Sequence, residues 1–220
     1  MRPVGCKVAQ AGRWLVLAMF LSALPAIVHA KAAKGLSVTE QDLRVCMGYA
    51  GAGPDQQVAT CTKILKSGKV KPPHHSEYLA YRAGAYMALK KSSLALADLN
   101  GAIAVRDKEE FRFQRALVHM ARGTLDEAGA DLDAVVRMKP AFAPAYYMRG
   151  AIAFRRADYA LARSEFDAAV QKLPTYYQAI YARGVAKAKA GDAAGGKEDM
   201  DAARGMSDRV GEDVALLGIK

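Results

Sequence analysis

Tyr147-Met148-Arg149-Gly150 returns 34 residues later as Tyr181-Ala182-Arg183-Gly184. A recurrence at constant spacing marks stacked copies of one supersecondary unit, because a unit that cannot bury its apolar face alone must bury it against its neighbour. The period extends in both directions. Small residues fall at Ala83, Ala116, Gly150 and Gly184, separated by 33, 34 and 34 residues. Twelve residues after each stand Ala95, Ala128, Ala162 and Gly196. Four further on are Leu99, Leu132, Phe166 and Met200, and three beyond those are Ala102, Val135, Ala169 and Ala203. Offsets of four and three place the small, large and small residues on one face of a helix. A small residue on the preceding helix lets the two helices approach closely. Gly123-Thr124 and Gly191-Asp192 supply turns between the helices of a pair, and Pro140 and Pro174 close two of the units. Each unit thus reads as an antiparallel helix pair.

The unit 143–176 carries Tyr146, Gly150, Ala162, Phe166, Ala169 and Pro174 at spacings that resemble the tetratricopeptide repeat (TPR) family. The resemblance covers 76–208 as four units, 76–108, 109–142, 143–176 and 177–208. The first unit lacks the closing proline; the fourth lacks both that proline and the large aromatic, as expected of units that cap a stack. The resemblance implies an all-α fold, a right-handed α-solenoid of antiparallel helix pairs.

Residues 31–70 read as an earlier helical hairpin carrying Cys46 and Cys61. In the repeat frame these lie at facing sites of the two helices, and a disulfide between them would tie the hairpin across its helices. Pro72-Pro73 read as an extended linker to the first full repeat. Residues 209–220 read as a capping segment, with Val210, Val214, Leu216 and Leu217 over the open end of the last repeat.

The first thirty residues differ in kind. Arg2, Lys7 and Arg13 precede the apolar run Trp14–Val28, no acid occurs before Glu40, and Val28-His29-Ala30 fits a signal-peptidase site. The expectation is an exported signal peptide cut after Ala30, a periplasmic or secreted protein, and no membrane span in the mature chain; an uncleaved membrane anchor is the alternative. Two remaining cysteines in an exported protein agree with one disulfide. Loss of Arg2, Lys7 and Arg13 lowers the formal charge from +10 to +7. The excess is scattered, not gathered into a stripe, so nucleic acid is not an expected partner. The 52% hydrophobic and 25% charged composition excludes low-complexity disorder.

Arg82, Arg115, Arg149 and Arg183 each precede the small residue, and Asp98, Asp131, Glu165 and Asp199 stand sixteen residues after them. A guanidinium can meet a carboxylate through two parallel hydrogen bonds, so matched acids at constant offset favour a structural ladder over a basic ligand track.

No serine-centred nucleophile elbow, phosphate-cradling loop or His-Glu-x-x-His motif occurs, and neither catalysis nor a cofactor is expected. His74-His75 is a histidine pair without further ligands at closing distance. In the family frame the first helices line an inner groove. That frame assigns to it Tyr81 and Met87, Phe113, Gln114 and Met120, Tyr147, Phe154 and Arg155, and Gln178, Tyr181 and Lys189. Aromatic and methionine side chains there suit a peptide or helix of a protein partner, as a scaffold of the cell envelope would hold it. The alternative is a small ligand or anionic envelope polymer on the basic surface; several groove side chains packing as core is the competing structural reading.

Overall fold

The computed structural model describes residues 37–49 and 51–220; the expected signal peptide lies outside them. The described residues form eleven α-helices and no strand. The hairpin is α1 (Glu40–Cys46) and α2 (Pro54–Lys66). Four pairs come after it: α3 (Pro72–Ala88) with α4 (Ser92–Val105), α5 (Glu109–Arg122) with α6 (Leu125–Met138), α7 (Ala143–Arg155) with α8 (Tyr159–Lys172), and α9 (Tyr177–Lys189) with α10 (Ala193–Met206). A short α11 (Val210–Ala215) ends the chain. Each helix packs on its predecessor, and consecutive pairs stack, giving an all-α helical repeat solenoid. Among the described residues no helix is long and apolar enough to cross a membrane.

Pro72 and Pro73 correct the linker expectation. They are the first two residues of α3. A helix's first turn has no intrahelical use for their missing N–H groups, and their fixed φ favours entry, so the proline pair begins the helix.

The small positions do what close packing requires. A Cβ on Gly150 would lie 2.6 Å from two ring carbons of Phe166, so the phenyl ring rests on the α7 backbone. In the fourth unit both helices carry glycine at the crossing. A Cβ on Gly184 would lie 2.6 Å from the Gly196 carbonyl oxygen, and one on Gly196 would lie 2.6 Å from the Gly184 oxygen. Backbone meets backbone there, and neither can yield cheaply. Gly184→Ala is therefore expected to destabilise by about 1–3 kcal/mol. Gly84→Ala, with open space at the added methyl, is expected to stabilise by about 0.5–1 kcal/mol through helix propensity. Opposite signs in denaturant unfolding check this; equal effects would remove the close-crossing argument.

Turns between paired helices need one left-handed residue. Gly123 (φ 80°) and Gly191 (φ 99°) supply it in the second and fourth units, whereas Lys90 (φ 57°) and Ala157 (φ 60°) take that conformation in the first and third. Asp158 and Asp192 then cap α8 and α10, accepting from the backbone N–H of Leu161 and Gly195.

The arginines connect the stack both within and between units. Arg82 donates through Nε and Nη2 to both oxygens of Asp98, each at 2.7 Å, and through Nη1 to Thr62 of the preceding hairpin at 2.9 Å. Arg115 grips Asp131 in the same two-pronged way and reaches back to Asn100 at 2.7 Å. Arg183 holds Asp199 and reaches back to Asp167 at 2.7 Å. Thr62, Asn100, Asp133 and Asp167 each come directly after the large residue of the preceding unit (Cys61, Leu99, Leu132, Phe166). One guanidinium therefore sets the register of two units. The third rung is looser: Arg149 gives Glu165 a single bond at 2.6 Å, and its Nε lies 3.5 Å from Asp133.

Candidate functional site

The first helices α3, α5, α7 and α9 carry the residues expected to face a partner. Their surface has two different halves. Over the C-terminal half the chain's own last residues pack down. Val210 and Val214 of α11 and Ile219 beyond it are buried against the core. Leu216, Leu217 and Gly218 border a cavity of about 540 Å³ with Leu117, Met120 and Arg155, and a Cβ added at Gly218 would lie 3.8 Å from the Arg155 side chain. A second cavity of about 470 Å³ lies between this segment and Tyr181, Val185, Ala188 and Lys189. The segment thus runs from α9 over α7 to α5. Its anchors are Val210, Val214 and Ile219. The expected Leu216 is 86% exposed, and Ile219 escaped sequence reasoning because a lone isoleucine beside the terminus carries no periodicity.

Three expected partner-facing residues are core instead. Tyr147, Phe154 and Met120 are 3%, 7% and 6% exposed. Tyr147 packs on Phe166 and on Tyr176, with ring centroids 5.7 and 5.1 Å apart, and Phe154 meets Tyr159 edge to face. Burial, with Tyr176 and the Asp213 carboxylate of α11 adding to it, raises the Tyr147 phenol well above its ordinary value. An inward position on a first helix is available to a partner only where nothing of the chain itself covers it, and here the side chains are covered. Phe113 is half-buried, edge to face with Phe142 at 5.1 Å. Met87 packs partly into the core of the first repeat, and Gln178 is half-buried. Arg155 is exposed and donates through Nη1 to the Met120 carbonyl at 3.1 Å, at the end of α5. Tyr181 is half-buried and Lys189 exposed at the edge of the 470 Å³ cavity.

Over the N-terminal half the C-terminal segment contributes no residue to the cavity lining. A cavity of about 240 Å³ lies between α3 and α5, lined by Ala80, Tyr81, Phe111 and Gln114, with Glu77 and Lys108 paired at its rim at 2.9 Å. The Gln114 Oε1 atom is buried and has no hydrogen-bond partner among the described residues. A buried acceptor left unpaired costs free energy that an incoming N–H donor would recover. The hydrogen bond to Lys108 holds the Glu77 carboxyl below its ordinary range. Tyr81 also packs against the cluster of Cys46, Cys61 and Ile64, so the hairpin supports this half of the groove. The Cys46–Cys61 disulfide spans α1 and α2, with Cα atoms 4.9 Å apart.

His74 meets Glu77 at 3.3 Å, and among the described residues no three His, Cys, Asp or Glu side chains are disposed to hold a metal ion.

The sequence matches no family model and no curated protein. Solved structures resemble it in fold. One crystal structure of MamA aligns with 80% of this chain and 99% of its own, at TM-score 0.65 and 16% identity. MamA from Desulfovibrio magneticus RS-1 aligns with 80% of this chain and 96% of its own, at TM-score 0.58 and 17% identity. YrrB, described as a TPR protein with an unusual peptide-binding site, aligns with 74% of this chain and 81% of its own, at TM-score 0.57 and 16% identity. The chain has a TPR-like fold.

Proposed function

We propose that this chain is a non-catalytic scaffold exported to the cell envelope, where the open N-terminal half of its groove holds a peptide or helix of a protein partner. The observation that carries the reading is the occupied half. There the chain's own C-terminal segment lies on the first helices through Val210 and Val214 of α11 and Ile219 beyond it, so the surface is built to accept a short apolar segment. The open half offers matching means: Tyr81 and Phe111 for contact area, and the unpaired Gln114 oxygen for a backbone or side-chain N–H. The YrrB likeness agrees with a peptide ligand at the level of fold alone. Export is supported by the N-terminal sequence pattern and by the disulfide.

In-cell crosslinking capture tests the reading, comparing wild type with Tyr81→Ala/Gln114→Ala. Both positions line the cavity, so the variant changes the surface without removing a core side chain of the third or fourth unit. A protein captured by wild type and reduced about tenfold or more in the variant, the loss expected for one anchor and one hydrogen bond, is the expected result. Equal capture by both would move the site off this half. No protein capture, with binding of an anionic polymer that falls steeply with salt, would replace the reading by the basic-surface one.

A further inference from the structure

The four arginine rungs differ in charge. In the first, Arg82 faces Asp98 and the neutral Thr62; in the second, Arg115 and, at 3.2 Å, Arg112 face Asp131, and Arg115 also meets the neutral Asn100. In the fourth, two carboxylates, Asp167 and Asp199, share two cations, because Lys187 adds its ammonium to Asp199 at 2.9 Å. The third rung has two carboxylates, Asp133 and Glu165, and only Arg149. The residue four after each arginine explains the difference: Tyr86, His119, Ala153 and Lys187. Where the fourth unit has Lys187, the third has a methyl group.

A cavity occupies the vacated place. It measures about 440 Å³ and is lined by Gly129, Asp133, Arg149, Ala153, Leu161 and Glu165, among others. The fourth unit has the corresponding cavity, about 340 Å³, with Arg163, Asp167, Arg183 and Lys187 at the equivalent positions. Gly129 thus replaces an arginine and Ala153 a lysine, and both changes widen the third cavity. The other charged groups at its edge do not supply the missing cation. Arg156 pairs with Asp126, and Asp158 is an acid capping α8. Burial raises the Glu165 carboxyl above its ordinary value, with Asp133 adding to it against Arg149. Burial also pushes the Asp199 carboxyl up, but hydrogen bonds from Arg183 and Lys187 bring it below its ordinary value.

The geometry points to a binding site for an alkylammonium group between α6, α7 and α8, where the guest's ammonium takes the place over Glu165 and Asp133 that Lys187 fills over Asp199 one unit later. Its methylene stem would lie against Ala153, Ile152 and Leu161. The group is a lysine side chain of a polypeptide partner or a free alkyl amine. This site shares no lining residue with the groove cavities, so its test is independent of the groove reading.

The test is titration of the isotope-labelled full-length protein with Nα-acetyl-L-lysine methylamide, followed through the backbone amides of Gly129, Ala153 and Glu165. Saturable shifts at these amides are expected. The Nε-acetylated compound, with the same stem and no charge, should bind about tenfold or more weakly, as loss of a charge-assisted hydrogen bond implies. Ala153→Lys supplies the ammonium within the chain and should abolish binding. Asp133→Asn, which puts at this rung the residue type of Asn100, should weaken it about tenfold by the same arithmetic and keeps the test open if Ala153→Lys fails to fold. Cadaverine separates the sources: binding as tight as the lysine compound's identifies a free amine, weaker binding a lysine side chain, and either supports the site. Absence of saturable shifts, equal binding of the acetylated compound, or undiminished binding to both variants would overturn it.

Discussion

Phe166→Ala is expected to cost about 3–5 kcal/mol, the range for removing a fully buried phenyl ring from a packed core. Phe166 has no exposed surface. Its ring lies on the α7 backbone at Gly150 and against Tyr147. The hole left by the ring would be walled on one side by the backbone of a regular helix, which cannot collapse inward as a side chain can. Phe166→Leu, which keeps most of the volume, is expected to cost much less. In a linear array this position also couples the units on either side. Denaturant unfolding of Phe166→Ala should therefore show a lower midpoint and a broadened or split transition. A change below about 1 kcal/mol, nearer the scale of an ordinary surface substitution, would mean the site relaxes and the close packing at Gly150 is not what holds the third unit.

Reduction of the Cys46–Cys61 bond has the second large effect. The hairpin is small: α1 has 7 residues and α2 has 13. Its buried hydrophobic cluster is Cys46, Cys61 and Ile64, with Val38, Leu43, Val70, Tyr78 and Tyr81 partly buried around it. So little apolar area leaves the hairpin dependent on its covalent tie. Closing a loop of this length is worth roughly 3 kcal/mol. Reduction should raise the intact mass by two hydrogens. It should also open α1 and α2 to hydrogen exchange while α7 to α10 keep their protection, because each unit of a solenoid contacts only its neighbours. Uniform loss of protection along the chain would refute the local effect; no loss would mean the hairpin holds without the bond. Tyr81 bridges the hairpin cluster and the open cavity, so under the proposed function reduction should also lower capture of a partner by the N-terminal half of the groove.

Much of the fold is legible in the chain's residues because it depends on local spacing. A period of 33 or 34 with small residues at two phases sets where helices cross. An arginine before the small residue, with an acid sixteen further on, sets which side chains meet across a pair. Cys46 and Cys61 fall at facing sites of one hairpin. Each of these concerns neighbours along a regular helix or across one turn, where sequence distance converts directly to space. Pro72-Pro73 is ambiguous by itself, since two prolines favour both an extended segment and a helix's first turn. The residues from His74 onward decide it by continuing α3.

The residues of the inner face are legible only in part. The repeat frame assigns Tyr147, Phe154 and Met120 to the inner face; it contains nothing about the chain returning across that face after α10. The repeat, the helix pairs and the ladder that registers them follow from residue spacing, since these arise from periodic contacts between adjacent elements. Which half of the groove stays open, and where one rung lacks its cation, follow from packing between distant parts of the chain. Both depend on groups brought together without a repeating distance: Val210, Val214 and Ile219 over α9, α7 and α5, and Asp133, Arg149 and Glu165 around the space left by Ala153 and Gly129.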